Sequence, residues 1–176
     1  TAFALQRMAE LARSVGDPHQ ARRWAQDALA IRQRQLSASH PDVATSLLGL
    51  GLTDLVLGDR QNGLHHLQQA ATIRRRSLGP DHPYTGIAEM LLGLALWDGG
   101  EASQGAASLR QAMQAYSAVV QTQAALLPLR ERQRFAATLA ESRNALYSLV
   151  GQGADGLDLA LLARLNLHGR LEEIER

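Results

Sequence analysis

Residues 78–83 are Leu-Gly-Pro-Asp-His-Pro and residues 36–41 are Leu-Ser-Ala-Ser-His-Pro, so the pattern Leu-x3-His-Pro occurs twice, 42 residues apart. The same offset aligns further identical residues, namely Leu50/Leu92, Gly51/Gly93, Leu52/Leu94, Gly58/Gly100, Gly63/Gly105, Leu67/Leu109 and Ala70/Ala112. One step earlier, residues 1–35 align with 43–77. Repetition at a fixed period is typical of chains built from stacked supersecondary units, and the sequence therefore predicts three such units.

Each unit is predicted to contain two helices. In the second unit, Pro41 stands where the first helical residue should be, and leucines follow at helical spacing as far as Leu55. Gly58 is expected to end this helix, and Asp59 to cap the next one. Since the connection is short, the two helices of a unit must run antiparallel.

Small residues recur at three positions of every unit, twelve and then seven residues apart. They are Ala9/Gly51/Gly93, Ala21/Gly63/Gly105 and Ala28/Ala70/Ala112. Small side chains let two helices approach closely, so we expect any side chain larger than Ala at these positions to push a helix pair apart.

This ladder of small residues, with Leu50/Leu92 before its first position and Leu67/Leu109 between its second and third, resembles the tetratricopeptide repeat. The 42-residue period and the His-Pro linker resemble the kinesin-light-chain subclass. The resemblance covers about residues 1–122. It implies an all-α fold, a right-handed superhelical solenoid of three antiparallel helix pairs followed by two additional helices. The expected units are residues 1–38, 39–80 and 81–122, and residues 123–176 are expected to form a C-terminal helical extension or connector.

The pattern changes in this extension. Residues 126–150 keep helical spacing without the ladder, and a further helix is predicted from residue 157 to the end. The segments Leu129-Arg-Glu-Arg-Gln-Arg134 and Leu167-His-Gly-Arg-Leu-Glu-Glu173 are similar to the stretch that precedes a CHAT domain, a caspase-like peptidase module, in bacterial proteins that join it to such repeats. This resemblance implies a repeat arm whose peptidase would lie beyond Arg176.

The composition excludes several kinds of protein. The 18 basic residues nearly balance the 17 acidic ones, so the formal charge of +1 gives no reason to expect nucleic acid as a partner. The absence of cysteine excludes disulfides, a thiolate nucleophile and Cys-based zinc sites, and makes the cytoplasm the expected compartment. No apolar run approaches the roughly 18 residues of a membrane span. We therefore expect no membrane partner.

The remaining polar motifs predict no chemistry. The histidines show no metal-ligand spacing, and no nucleophile elbow, phosphate loop or dinucleotide fingerprint occurs. The interpretation is a fragment that is not an enzyme and holds no cofactor or metal. His40 and His82 are expected to make helix-entry contacts, and His65-His66 to form a solvated pair. Two interpretations stay open for Arg74-Arg75-Arg76, which can complement a helix dipole or bind an anionic partner.

The inner face of the first helix in each pair lines the concave groove where family members usually bind extended peptides. Its predicted residues, polar in the first unit and apolar later, are Gln6, Glu10, Arg13, Leu48, Leu52, Leu55, Met90, Leu94 and Trp97. The pair of asparagines that kinesin-light-chain repeats typically place in this helix is absent; its slots hold Gln6-Arg7, Leu48-Gly49 and Met90-Leu91. If exposed, the six apolar side chains would form a patch larger than a soluble monomer normally tolerates. Ordinary packing between helices is the alternative.

The sequence thus favours a protein-protein interaction scaffold whose groove binds a peptide, a partner helix or an adjacent domain such as its own C-terminal domain. One alternative is a regulatory or sensing arm of a larger enzyme, a CHAT peptidase. Another is a homo-oligomerisation module that uses the same groove. The source organism and the partner are not encoded in these patterns.

Overall fold

The computed structural model describes residues 1–122 and the isolated positions 130, 144 and 156. Residues 1–122 form α-helices without any β-strand, as the sequence predicted. The helices are α1 (Ala2–Ser14), α2 (Pro18–Gln35), α3 (Pro41–Val56), α4 (Arg60–Leu78), α5 (Pro83–Asp98) and α6 (Ala102–Thr122). The predicted C-terminal extension, with the segments that resemble the stretch before a CHAT domain, lies outside the described residues. Among the helices that are described, none has the length and apolar character needed to cross a membrane.

The His-Pro linkers start helices α3 and α5 in the same way. Nδ1 of His40 accepts a hydrogen bond from the backbone N–H of Asp42, and Nδ1 of His82 accepts one from Tyr84, both at 3.1 Å. The proline that follows each histidine occupies the first helical turn, where its missing N–H would have no partner anyway. The predicted helix-entry role of both histidines is confirmed.

The turn inside each helix pair depends on glycine. Gly58 follows α3 with φ of 79°, in the left-handed region that side chains with a Cβ rarely adopt. This conformation lets the N–H of Asp59 reach back to the carbonyl of Asp54 at 2.9 Å. The carboxylate of Asp59 then accepts from the N–H of Asn62 and caps α4, as predicted.

The chain divides into two compact units. Unit 1 is Thr1–Gly79 and contains α1 to α4, and unit 2 is Pro80–Arg176 and contains α5 and α6. Within unit 1, α1 packs on α2, α3 packs on α4, and α3 also packs on α2. Each predicted repeat therefore contains one pair of adjacent helices.

Backbone contact at the small residues sets the spacing of the pairs. In unit 1, a Cβ added to Gly51 would lie 3.0 Å from the carbonyl oxygen of Gly63 and from Cγ of Leu67. Near the turn, a Cβ on Gly63 would lie 2.8 Å from Leu55. Since position 51 meets 67 while 55 meets 63, the two helices are antiparallel.

The helix pair of unit 2 repeats this arrangement. A Cβ on Gly93 would lie 2.7 Å from Cγ of Leu109, and a Cβ on Gly105 would lie 2.8 Å from the carbonyl oxygen of Gly93. Both distances are below 3.0 Å, so Ala at either glycine would require the opposing atoms, a buried leucine and a backbone carbonyl, to shift.

Candidate protein-interaction surface

The three polar residues predicted for the groove in the first repeat do not form one exposed set. Gln6 is buried, and its Oε1 accepts a hydrogen bond from Nη1 of Arg32 at 3.4 Å. Glu10 is half-buried and forms a salt bridge with the exposed Arg7 at 2.7 Å. Arg13, at the end of α1, is also half-buried. Glu10 and Arg13 are therefore the accessible members of this group.

The three leucines predicted in α3 differ in exposure. Leu48 is 6% exposed and belongs to the interior, whereas Leu52 and Leu55 are half-buried. Leu55 also packs against the start of α4, because its Cγ and Cδ2 lie beside Gly63. Only part of this apolar set can therefore meet a partner.

The predicted residues of α5 lie in unit 2 and follow the same trend. Met90 and Trp97 are 5% and 6% exposed, while Leu94 is half-buried. Leu94 stands 42 residues after Leu52, so the half-buried leucine occupies the same repeat position in both units. Leu48, Met90 and Trp97 are thus buried, while Leu52, Leu55 and Leu94 keep part of their surface exposed.

The reason lies in the environment of α3 and α5. Most residues of each helix are buried, and they are spread around the helix rather than confined to one stripe. A helix that is apolar on nearly every side does not indicate from its sequence which side faces a groove. The sequence therefore did not predict which side chains of α3 and α5 are buried.

Two arginines near the ends of α2 and α4 are interior groups. Arg32 and Arg74 are 42 residues apart and both buried. Arg32 donates to Oγ of Ser46 as well as to Gln6, and so links α2 to α3 and α1. Arg74 donates to Oγ1 of Thr45 at 3.2 Å. Hydrogen bonds of this kind offset the cost of burying a guanidinium, so neither side chain serves as an exposed anion site. Arg75 and Arg76 remain exposed.

A second buried group joins α2, α3 and α4. The carboxylate of Asp54 has no exposed surface; Nε of Arg22 lies 2.8 Å from its Oδ1, and Nδ1 of His66 lies 2.8 Å from its Oδ2. His66 is half-buried, so the expectation of a solvated histidine pair is wrong for it, whereas His65 is exposed. The partner of His66 lies on another helix, so no pattern within α4 could indicate this contact. The charge of Arg22 near Oδ1 and the hydrogen bond between Oδ2 and His66 together offset part of the cost of burying this carboxylate.

Arg22 also reaches a second carboxylate. Its Nη2 lies 2.7 Å from Oδ2 of Asp59, the residue that caps α4. Hydrogen bonds from the side chain of Asn62 and from Arg22, in that order of importance, hold the pKa of Asp59 below its ordinary value. Arg22 therefore bridges a buried carboxylate and a helix cap.

Residues 1–122 contain no group of three or more His, Asp or Glu side chains that could hold a metal ion. Asp54 and Asp59 instead pair with Arg22 of another helix, and Asp54 also with His66. The arrangement that the structure describes is that of an α-helical repeat protein whose polar interior groups connect the helices.

Comparison with known proteins agrees with this description. Models of the tetratricopeptide repeat match residues 1–59 and residues 43–84. Residues 1–84 are therefore similar to tetratricopeptide repeats, a kind of repeat that generally acts as a protein-protein interaction scaffold and is typically not catalytic. No curated protein matches the chain significantly.

Two solved structures show the fold. One contains the nearly identical TPR-like repeats of a protein described as a kinesin light chain from Podosopora anserina, with a TM-score of 0.54 and 17% identity over 98% of this chain and 93% of that one. The other is a variant of those repeats, with a TM-score of 0.54 and 18% identity over 97% of this chain and 91% of that one. The structural neighbours are thus tetratricopeptide proteins like kinesin light chains, as the His-Pro linker indicated.

Proposed function

We propose that this chain binds another polypeptide through the first helices of its repeats. The observation that carries the proposal is the pair Leu52 and Leu94, which occupy the same repeat position and are only half-buried although the residues directly before and after each of them are buried. Tetratricopeptide repeats generally bind protein partners, and large apolar side chains left at a surface favour such contacts. Leu55 extends this partly exposed apolar set on α3.

The residues at this surface favour apolar contacts with the partner over hydrogen bonds to its backbone. Gln6 is the amide at the slot where related repeats carry asparagine, and it is buried against Arg32. At the equivalent slots, Leu48 and Met90 have no amide and are buried as well. The proposed partner is therefore an amphipathic helix or a segment with apolar side chains, such as a domain of the same polypeptide, rather than an extended peptide held by asparagines.

The test replaces Leu52 and Leu94 together by Glu. A peptide selected from a display library of amphipathic helices on the whole chain is titrated against the wild type and the variant, and thermal unfolding is followed in parallel. We expect affinity to fall at least about tenfold while the fold persists, because a desolvated carboxylate opposes apolar docking. Gln61→Glu with Ser103→Glu is the control, since both residues are exposed, lie on α4 and α6, and are 42 residues apart.

Two outcomes contradict the proposal. Early melting of the Leu52→Glu/Leu94→Glu variant would show that these leucines are core residues. Unchanged affinity in a folded variant would place the partner elsewhere. The control variant should bind and melt like the wild type.

Homo-oligomerisation through the same leucines makes a different prediction. Light scattering over a concentration series would show a mass that rises above one chain, and the rise would be lost in the double Glu variant. A mass fixed at one chain would exclude this role.

A further inference from the structure

A pocket of about 400 Å³ opens in unit 1 between α2 and α4. Its floor is formed by Val43 and Leu47 of α3, which are 2% and 4% exposed. Ala38, in the linker between α2 and α3, lies at one side and is exposed. The volume falls within the range of pockets that bind small ligands or single side chains. Leu52, Leu55 and Leu94 do not line this pocket, so it differs from the surface proposed above.

Three carboxamides are among the polar residues that line the pocket, together with His65 and Thr72 of α4. The carboxamides belong to Gln33 of α2 and to Gln68 and Gln69 of α4, and all three residues are exposed. A carboxamide offers both a donor and an acceptor, which is the combination that a peptide N–H and C=O require. In the described part of the chain the lining includes the titratable His65 but no Asp, Glu, Lys or Arg, so the charge of a ligand would meet no permanently charged side chain there.

The combination is specific to this repeat. The positions 42 residues after Val43 and Leu47 hold Thr85 and Glu89, and the position after Gln33 holds Arg75. An apolar floor with a wall of neutral amides is therefore not a general consequence of stacking these helices.

The geometry points to a second binding site, one that takes a short uncharged peptide segment by inserting an aliphatic side chain onto Val43 and Leu47 while Gln33, Gln68 and Gln69 bond its backbone. Insertion of the aliphatic side chain removes apolar surface of Val43 and Leu47 from water, which stabilises the complex. The carboxamides form hydrogen bonds with the peptide groups, which would otherwise lose their hydrogen bonds to water. Nothing in this site depends on the half-exposed leucines Leu52 and Leu94.

The probe for this site is N-acetyl-leucine N′-methylamide, which carries one aliphatic side chain between two peptide groups. It is titrated into the whole isotopically labelled chain while NMR follows the side-chain NH₂ signals of Gln33, Gln68 and Gln69. We expect saturable shifts of these signals with a dissociation constant of about 1 mM, the strength expected for a ligand of this size. The capped aspartate analogue should bind at least about fivefold more weakly because the pocket offers its charge no cationic arginine or lysine.

Two variants make the test decisive. Ala38→Trp should fill the pocket from the exposed linker and abolish the saturable shifts, whereas Ala107→Trp, at an exposed position on α6, should leave them unchanged. Gln68→Ala, also at an exposed position, should weaken binding several-fold with unchanged thermal unfolding. Absence of saturable shifts, equal binding of the two capped amino acids, or full binding by folded Ala38→Trp would each overturn the proposal.

Discussion

Replacement of Arg22 by Met should reveal how far the buried carboxylate of Asp54 depends on a cation. The side chain of Asp54 has no exposed surface, while that of Arg22 is 32% exposed. Removing one partner of a fully buried ion pair costs about 3–5 kcal/mol, and an exposed pair is worth at most about 1 kcal/mol. Because a third of Arg22 faces solvent and His66 still contacts Asp54, we expect Arg22→Met to lower the free energy of unfolding of unit 1 by about 2 kcal/mol.

Tryptophan fluorescence makes this measurable for unit 1. Trp24 is partly buried and packs against the cluster of Ala9, Ala25 and Leu50. The chain has two tryptophans, so Trp24 is the sole reporter when Trp97→Phe is the common background. Urea unfolding of each variant in that background gives the free-energy differences.

The matched controls separate charge from shape. Asp59→Asn removes the other carboxylate that pairs with Arg22 but keeps a side chain that caps α4, so it should cost much less than Arg22→Met. Adding Asp54→Asn to Arg22→Met should restore most of the loss, because a neutral amide needs no cation. Equal losses for Arg22→Met and Asp59→Asn, or no recovery in the double variant, would refute the argument.

Gly105→Ala should destabilise unit 2 by about 1 kcal/mol, because overpacking against the carbonyl of Gly93 outweighs the gain in helix propensity. An unchanged midpoint of urea unfolding, followed by circular dichroism, would contradict this prediction. His82→Ala should lower the stability of α5 by about 1 kcal/mol, and His82→Asn by much less, because Asn can still cap the helix. Hydrogen exchange of the amides at the start of α5 should therefore be faster in the Ala variant only. The lowered pKa of Asp59, caused first by the bond from Asn62, stabilises the fold while the carboxylate is charged. That contribution is present above pH of about 4 and lost below it, so the urea midpoints of wild type and Asp59→Asn should converge on acidification; a constant gap would contradict this.

The helix pairs could be predicted from the sequence because their signals are local. The His-Pro linkers and Gly58 with Asp59 act within one or two turns of chain, and each performs the predicted role. The small residues could be recognised by their repetition every 42 residues, although their contacts join two helices.

The interior polar groups could not be predicted in this way. Arg32, Arg74 and His66 find their partners on other helices, at separations from which no periodic pattern emerges. The burial of Leu48 and Met90 could not be predicted for a related reason, because a helix surrounded by neighbours shows no polar face in its sequence. Contacts between single polar side chains on different helices were therefore not predictable from the sequence.

The ladder of small residues also bears on how such repeats can be recombined. Where the second pair sets Gly51 against Leu67, the first pair sets Ala9 at the position equivalent to Gly51 and Ala25 at the position equivalent to Leu67. In each pair, the size of the side chain on one helix is thus matched to the size of the opposing side chain on the other helix. Copying Leu alone into the first pair would crowd it, and copying Gly alone would leave a void. Exchange of repeats is therefore expected to succeed when both helices move together and to fail when consensus residues are grafted singly.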